Sequence, residues 1–149
     1  MSAVEQLLSD QVISEEVAQN EFQNVLDFYD IDFDDIKEER VKNGMESSMR
    51  KIIRAIRKGN LTIKENPEGV PIIIQTLRRR QDKMPETIEY GEPGGKAKIA
   101  MSKAADNDHY GKLYALLGSI SGLGHAKITM LKGVDMSLAE CIGTIFLQV

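Results

Sequence analysis

The stretch from Met45 to Leu77 changes its apolar repeat once, at Gly59. Before the glycine, Met45, Met49, Ile52, Ile53 and Ile56 recur as i, i+4, i+7, i+8, i+11, the series that lays one apolar stripe along an α-helix. Arg50, Lys51, Arg54, Arg57 and Lys58 fill the other face and the last turn, where cations meet the negative end of the helix dipole. Gly59 supplies the backbone freedom that ends such a helix. After it, "NLTIKENPEGVPIIIQTLRRR" is rich in β-branched residues and holds a Pro-Glu-Gly turn between two runs, which predicts a hairpin. "PETIEYGEP" predicts a third strand, ended by Gly91, Pro93, Gly94 and Gly95. A one-sided helix followed at once by a small one-sided sheet restricts the fold to α+β, each element covering the apolar face of another.

Helical patterns flank this centre. Ser14 with Glu15 and Glu16 is a helix start, and Val17, Phe22, Val25 and Phe28 predict its buried face. The next helix is expected to begin at Asp34 or Asp35. Beyond the sheet, a helix is expected from about Lys96, then one with Leu113, Leu116, Leu117 and Ile120, broken by Gly122 and Gly124, then a short one with Ile128 and Leu131. Asp135 or Ser137, with Glu140 three after the serine, predicts the cap of a last helix carrying Leu138, Cys141, Ile142, Ile145 and Phe146. The expected fold is therefore mainly helical: an N-terminal helical arm over 1–58, acidic then basic, and a body over 59–149. That body holds a small antiparallel β-meander at about residues 60–92 and a C-terminal helical bundle.

Charge follows the same division. Residues 1–39 carry twelve acids and one base, residues 40–58 seven bases and one acid, and the rest is balanced at eleven bases and ten acids. The whole chain, 149 residues at a formal net charge of −4, is the size of one domain and too acidic for generic attraction to nucleic acid or anionic membrane. The single Cys141 forms no internal disulfide, which points to a reducing compartment. No stretch predicts a membrane span or a leader.

Chemistry-bearing motifs fail one by one. Asp30, Asp32 and Asp34 occupy positions 1, 3 and 5 of a calcium loop, but position 6 is Asp35 rather than glycine and position 12 is Val41 rather than glutamate. His109 and His125 are too few and too far apart for zinc. Cys141 lies on an apolar stripe and reads as a small buried hydrophobe. Gly118, Gly122 and Gly124 lack the preceding strand and Gly-Lys-Ser/Thr ending of a phosphate loop. No catalytic, cofactor-binding or metal site is expected, and the chain reads as a non-enzyme. The run Arg78, Arg79, Arg80 with Lys83 is the best anion-binding candidate, and with Arg50, Arg54 and Arg57 it forms a possible charged rim. Met45, Met49 and Met101 are the flexible apolar candidates for a partner groove.

Three stretches, "AIRKGNLTIKENPEGVPIIIQTLRRR", "IEYGEPGGKAKIAMSKA" and "HYGKLYALLGSISGLGHAKITMLKGVDMSLAECIGTIFL", together resemble the tail assembly chaperones of long-tailed bacteriophages, in particular the Mu-like group. The resemblance covers about residues 55–149 and is carried by Leu113, Leu116, Leu117, Gly122, Leu123, Leu131, Asp135, Phe146 and Leu147. It implies short strands ahead of a small helical region, with Asp135 as a cap between the last two helices and Leu131, Ile142 and Phe146 closing the core. It also implies a non-enzymatic morphogenesis protein of the host cytoplasm, whose partners are phage tape-measure or tail tube subunits. A virion structural component, capsid-stabilising or neck, that reaches neighbouring subunits with its N-terminal arm is the alternative; there the partner is a capsid subunit and the location the virion. A small DNA-binding regulator using the basic helix is a second alternative, with nucleic acid otherwise not expected as a partner. The acidic stretch beside the basic helix also predicts acid-against-base pairing within one chain or between copies, and so a homo-oligomer is an expected state.

Overall fold

The computed structural model describes residues 13–149. Helix α1 (Glu15–Phe28) starts where expected: Ser14 Oγ accepts from Val17 N at 3.2 Å, and Glu15 and Glu16 sit in the first turn. Its buried face is Ala18, Phe22, Val25 and Leu26, not the expected series, and Val17 and Phe28 are 47% and 46% exposed. The reason is rotational, since the five residues from Val17 to Phe22 turn a helix by about 140° off register.

The next helix starts later than expected. Phe33–Asp35 form one 3-10 turn, capped by the Asp32 carboxylate, which accepts from Asp34 N at 2.9 Å, and the turn goes no further because the backbone is extended at Ile36. Ile36 and Glu38 are extended, and α2 (Glu39–Arg57) follows. Its end has both bonds of a Schellman motif: Gly59 N donates to Ile56 O at 3.1 Å and Asn60 N to Ala55 O at 2.9 Å, with Gly59 at φ 81°.

Strands β1 (Leu61–Glu65), β2 (Pro71–Thr76) and β3 (Thr87–Tyr90) form an antiparallel sheet in that order, the expected meander. The register pairs Leu61 with Gln75 and Gln75 with Ile88, and Ile63 with Ile73 and Ile73 with Tyr90. Leu61, Ile73, Gln75, Ile88 and Tyr90 are thereby on one buried face. Asn66 closes the β1–β2 turn by accepting from Glu68 N and Val70 N.

Helices α3 (Gly95–Ser102), α4 (His109–Ser121), α5 (His125–Ile128) and α6 (Gly133–Phe146) complete the chain. Gly122 and Gly124, at φ 73° and 87°, make the break between α4 and α5. Asp135 is not the expected cap, and Ser137 with Glu140 forms no capping box: α6 begins at Gly133, and its N-cap Lys132 has no side-chain bond. Glu140 accepts from Tyr114 Oη at 3.0 Å.

Helices α2 and α6 pack antiparallel. Lys51, Arg54 and Lys58 lie beside Val134, Ser137 and Leu138, whereas Glu38 and Val41 lie beside Gln148. Phe22, Ile52, Leu61, Leu117, Ile142 and Phe146 belong to one apolar cluster, so the segments before and after Gly59 share a core. Among the described residues no helix is long and apolar enough to cross a membrane.

Candidate functional site

A chain of buried polar contacts ties the sheet to the start of α6. Tyr90 Oη donates to Gln75 Oε1 at 2.7 Å, and Gln75 Nε2 donates to the backbone oxygen of Asp135 at 2.9 Å. The Asp135 carboxylate, 3% exposed, accepts from Arg78 N on one oxygen and from Arg79 N on the other, both at 2.9 Å. Burial, with the Asp135 charge adding to it, drives the Tyr90 phenol far above its ordinary pKa, so it stays a donor. The outcome is positional: the arginine loop leaving β2 is fastened by its backbone onto the first turn of α6, and its side chains remain in solvent.

Fastening that loop completes a groove of about 290 Å³ between α2 and α6. Lys51, Arg54 and Lys58 reach it from α2 and Arg78 from the loop, while Ala55, Val134 and Leu138 supply an apolar floor and wall. Val134 is 56% exposed, an apolar side chain on the rim without cover. Among the described residues the ion pairs are Lys42–Asp34 at 3.4 Å and Arg80–Glu86 at 3.0 Å, so no described carboxylate neutralises these four cations.

Magnitudes limit what the groove can hold. A solvent-exposed ion pair contributes about 0.2–1 kcal/mol, so four give a few kcal/mol. Micromolar affinity needs about 8 kcal/mol. Ala55 and Leu138 are each only 7% exposed, so Val134 alone offers apolar area to cover, and the groove suits a weakly held segment with acids and an apolar side chain on one face.

Of the expected rim, Arg54 and Arg78 come together here. Arg50 and Arg57 are exposed on α2 outside the lining, Arg79 is exposed with its backbone held by Asp135, and Arg80 is paired with Glu86 beside Pro85 and Thr87. Met45 is fully buried in the core, Met49 and Met101 are half-buried against it, and none of the three lines the groove. Lys51, Lys58 and the apolar floor were not singled out by sequence reasoning. Only the tight packing of α2 on α6 brings them into one place. Cys141, 7% exposed, has its thiol pKa raised by burial, with Ser48 and Lys51 opposing the shift. Among the described residues no group of three or more His, Cys, Asp or Glu is arranged to hold a metal ion. No protein-family model, curated protein or solved structure matches the chain.

Proposed function

We propose that this chain is a non-enzymatic phage morphogenesis protein, a tail assembly chaperone that holds tape-measure or tube subunits in the host cytoplasm before the tail polymerises. The sequence resemblance over residues 55–149 supplies the class of protein. The observation that carries the mechanism is the groove: four cations without described acidic partners around an apolar floor, a surface suited to an acidic amphipathic segment. Holding a subunit this way covers apolar surface that would otherwise aggregate, and the few kcal/mol of charge contact release it when polymerisation offers a larger interface.

The test is co-expression of the tagged chain with the tape-measure and tube proteins of a tailed phage, with Lys51→Glu plus Arg54→Glu as comparison. Capture of either by the wild type, reduced at least tenfold in the variant, supports the reading. Mass spectrometry of purified particles separates the virion alternative: a chaperone is absent or trace, and a structural subunit is stoichiometric. A salt-sensitive gel shift with duplex DNA and no protein capture would replace both with the regulator reading.

A further inference from the structure

The antiparallel α2–α6 pair carries a second groove at its other end, of about 350 Å³. Its rim is Asp30, Asp32, Asp35 and Glu38 against one cation, Lys37, which leaves it acidic on balance, and Ile36 and Val41 are half-buried apolar residues within it. This is the chemistry the basic groove requires of an occupant: acids beside apolar side chains. Asp30, Asp35 and Glu38 are exposed and take no part in the ion pairs among the described residues.

The two ends cannot meet within one molecule. From Glu38 to Arg54 the rise is about 24 Å at 1.5 Å per residue, and α2 is one continuous helix over most of that span. At 0.1 M salt charges so far apart are screened from each other, because the Debye length is about 10 Å. Among the described residues, then, neither groove meets the complement that the other carries within one molecule. We infer that the basic groove is occupied by the acidic end of a second copy of this chain, Asp30–Glu38 docking against Lys51, Arg54, Lys58 and Arg78. The contact uses a different surface on each copy, so it either closes as a reciprocal pair or continues by adding copies. A tail subunit would then enter the groove by displacing a neighbouring copy. The inference rests on the reading of the groove as a protein-docking surface.

Sedimentation equilibrium of the full chain tests it. In 0.1 M NaCl the mass should rise with concentration to two chains or more, and 1 M NaCl should weaken association at least tenfold. Arg54→Glu with Lys58→Glu should give single chains, and so should Asp35→Lys with Glu38→Lys. All four substitutions in one chain keep the formal net charge at −4 and should restore association. If the fourfold variant lacks the wild-type circular dichroism melt, mixing the two half-swapped variants makes the same test in trans. A wild type that stays at single-chain mass overturns the inference. So does a half-swapped variant that associates like wild type, or a folded fourfold variant, or failing that a mixture, that stays at single-chain mass. A single-chain wild type that still captures a tail protein leaves the proposed function standing. Self-association without any such capture does the reverse.

Discussion

Removing the Asp135 carboxylate should cost about 2–3 kcal/mol and loosen the basic groove at the same time. The two backbone donors it serves, Arg78 N and Arg79 N, each make a 2.9 Å bond to a charged acceptor, the class worth about 1.5–3 kcal/mol apiece. Both bonds are only partly buried, so water recovers some of the loss in Asp135→Ala, and relief of the carboxylate's own desolvation recovers more. The consequence is a cost of about 2–3 kcal/mol, at or below the foot of the summed range of about 3–6 kcal/mol. Asp135→Asn should cost somewhat less, about 2 kcal/mol, since its oxygen keeps one bond while its amide turns a donor toward the other N–H. Urea unfolding gives the measurement: at a slope of about 2 kcal/mol/M, the midpoint of Asp135→Ala falls by about 1–1.5 M with the slope unchanged. Because Arg78 then leaves its fixed place, affinity for an acidic probe peptide should fall about two- to fivefold, the worth of one exposed ion pair. A midpoint within 0.25 M of wild type would refute the fastening role. A full loss of stability with unaltered probe affinity would separate Asp135 from the groove.

Three further outcomes follow from other contacts. Gly118→Ala should destabilise by about 2–3 kcal/mol, because a Cβ there would stand 2.5 Å from the Gly124 carbonyl carbon and 2.6 Å from His125 N, both backbone; a melting temperature within 2 °C of wild type would contradict it. Tyr29→Phe should be neutral or stabilising by up to about 1 kcal/mol, since the Tyr29 hydroxyl is buried without a partner among the described residues; a loss above 1 kcal/mol in urea would reveal a contact the hydroxyl makes. Burial, with Glu92 second, lifts Tyr29 from 10.0 to about 12, and burial with the Glu140 bond does the same for Tyr114. A phenol whose pKa is raised on folding binds its proton more tightly in the native state, so stability is flat below pH 10 and falls between about pH 10 and about 12. Tyrosine absorbance at 295 nm should therefore titrate later in the native chain than in urea, and coincident curves would sink the assignment.

Local periodicity made the element types legible, and three-dimensional packing decided what was missed. The Met45–Ile56 stripe, the Gly59 stop and the three strands needed only neighbouring residues, and each lies where its repeat placed it. The α1 face went wrong because Val17 and Phe28 are apolar without being in phase with Phe22. The α2 start went wrong because the turn that Asp32 caps ends after Asp35, and the backbone is extended at Ile36 and Glu38 before the helix begins. Asp135 was read as a cap because an acid at a helix start usually is one. The signal that separates it is its setting: in "GVDMSLAECIGTIF" it is the one acid of the first turn in a helix that is otherwise mostly apolar, and its partners lie 56 and 57 residues away.

The basic groove also has to be weighed against a plainer account of the same charges. Acids ahead of α2 and bases at its end complement the helix dipole, worth about 0.3–1 kcal/mol for a charge within the terminal turn. That account covers Arg54, Arg57 and Lys58. It does not cover Lys51, which stands before the last turn, or Arg78, which is on no helix and reaches the groove only through the Asp135 fastening. Nor does it explain Val134, an apolar side chain left 56% exposed beside those cations. Dipole stabilisation needs charges at the helix ends and is indifferent to their neighbours; an acidic amphipathic occupant needs cations from several elements around an uncovered apolar side chain. Lys51, Arg78 and Val134 meet the second requirement and are superfluous to the first. Substituting Lys51 and Arg78 should therefore leave the α2 helix content of the chain unchanged while reducing its capture of an acidic segment.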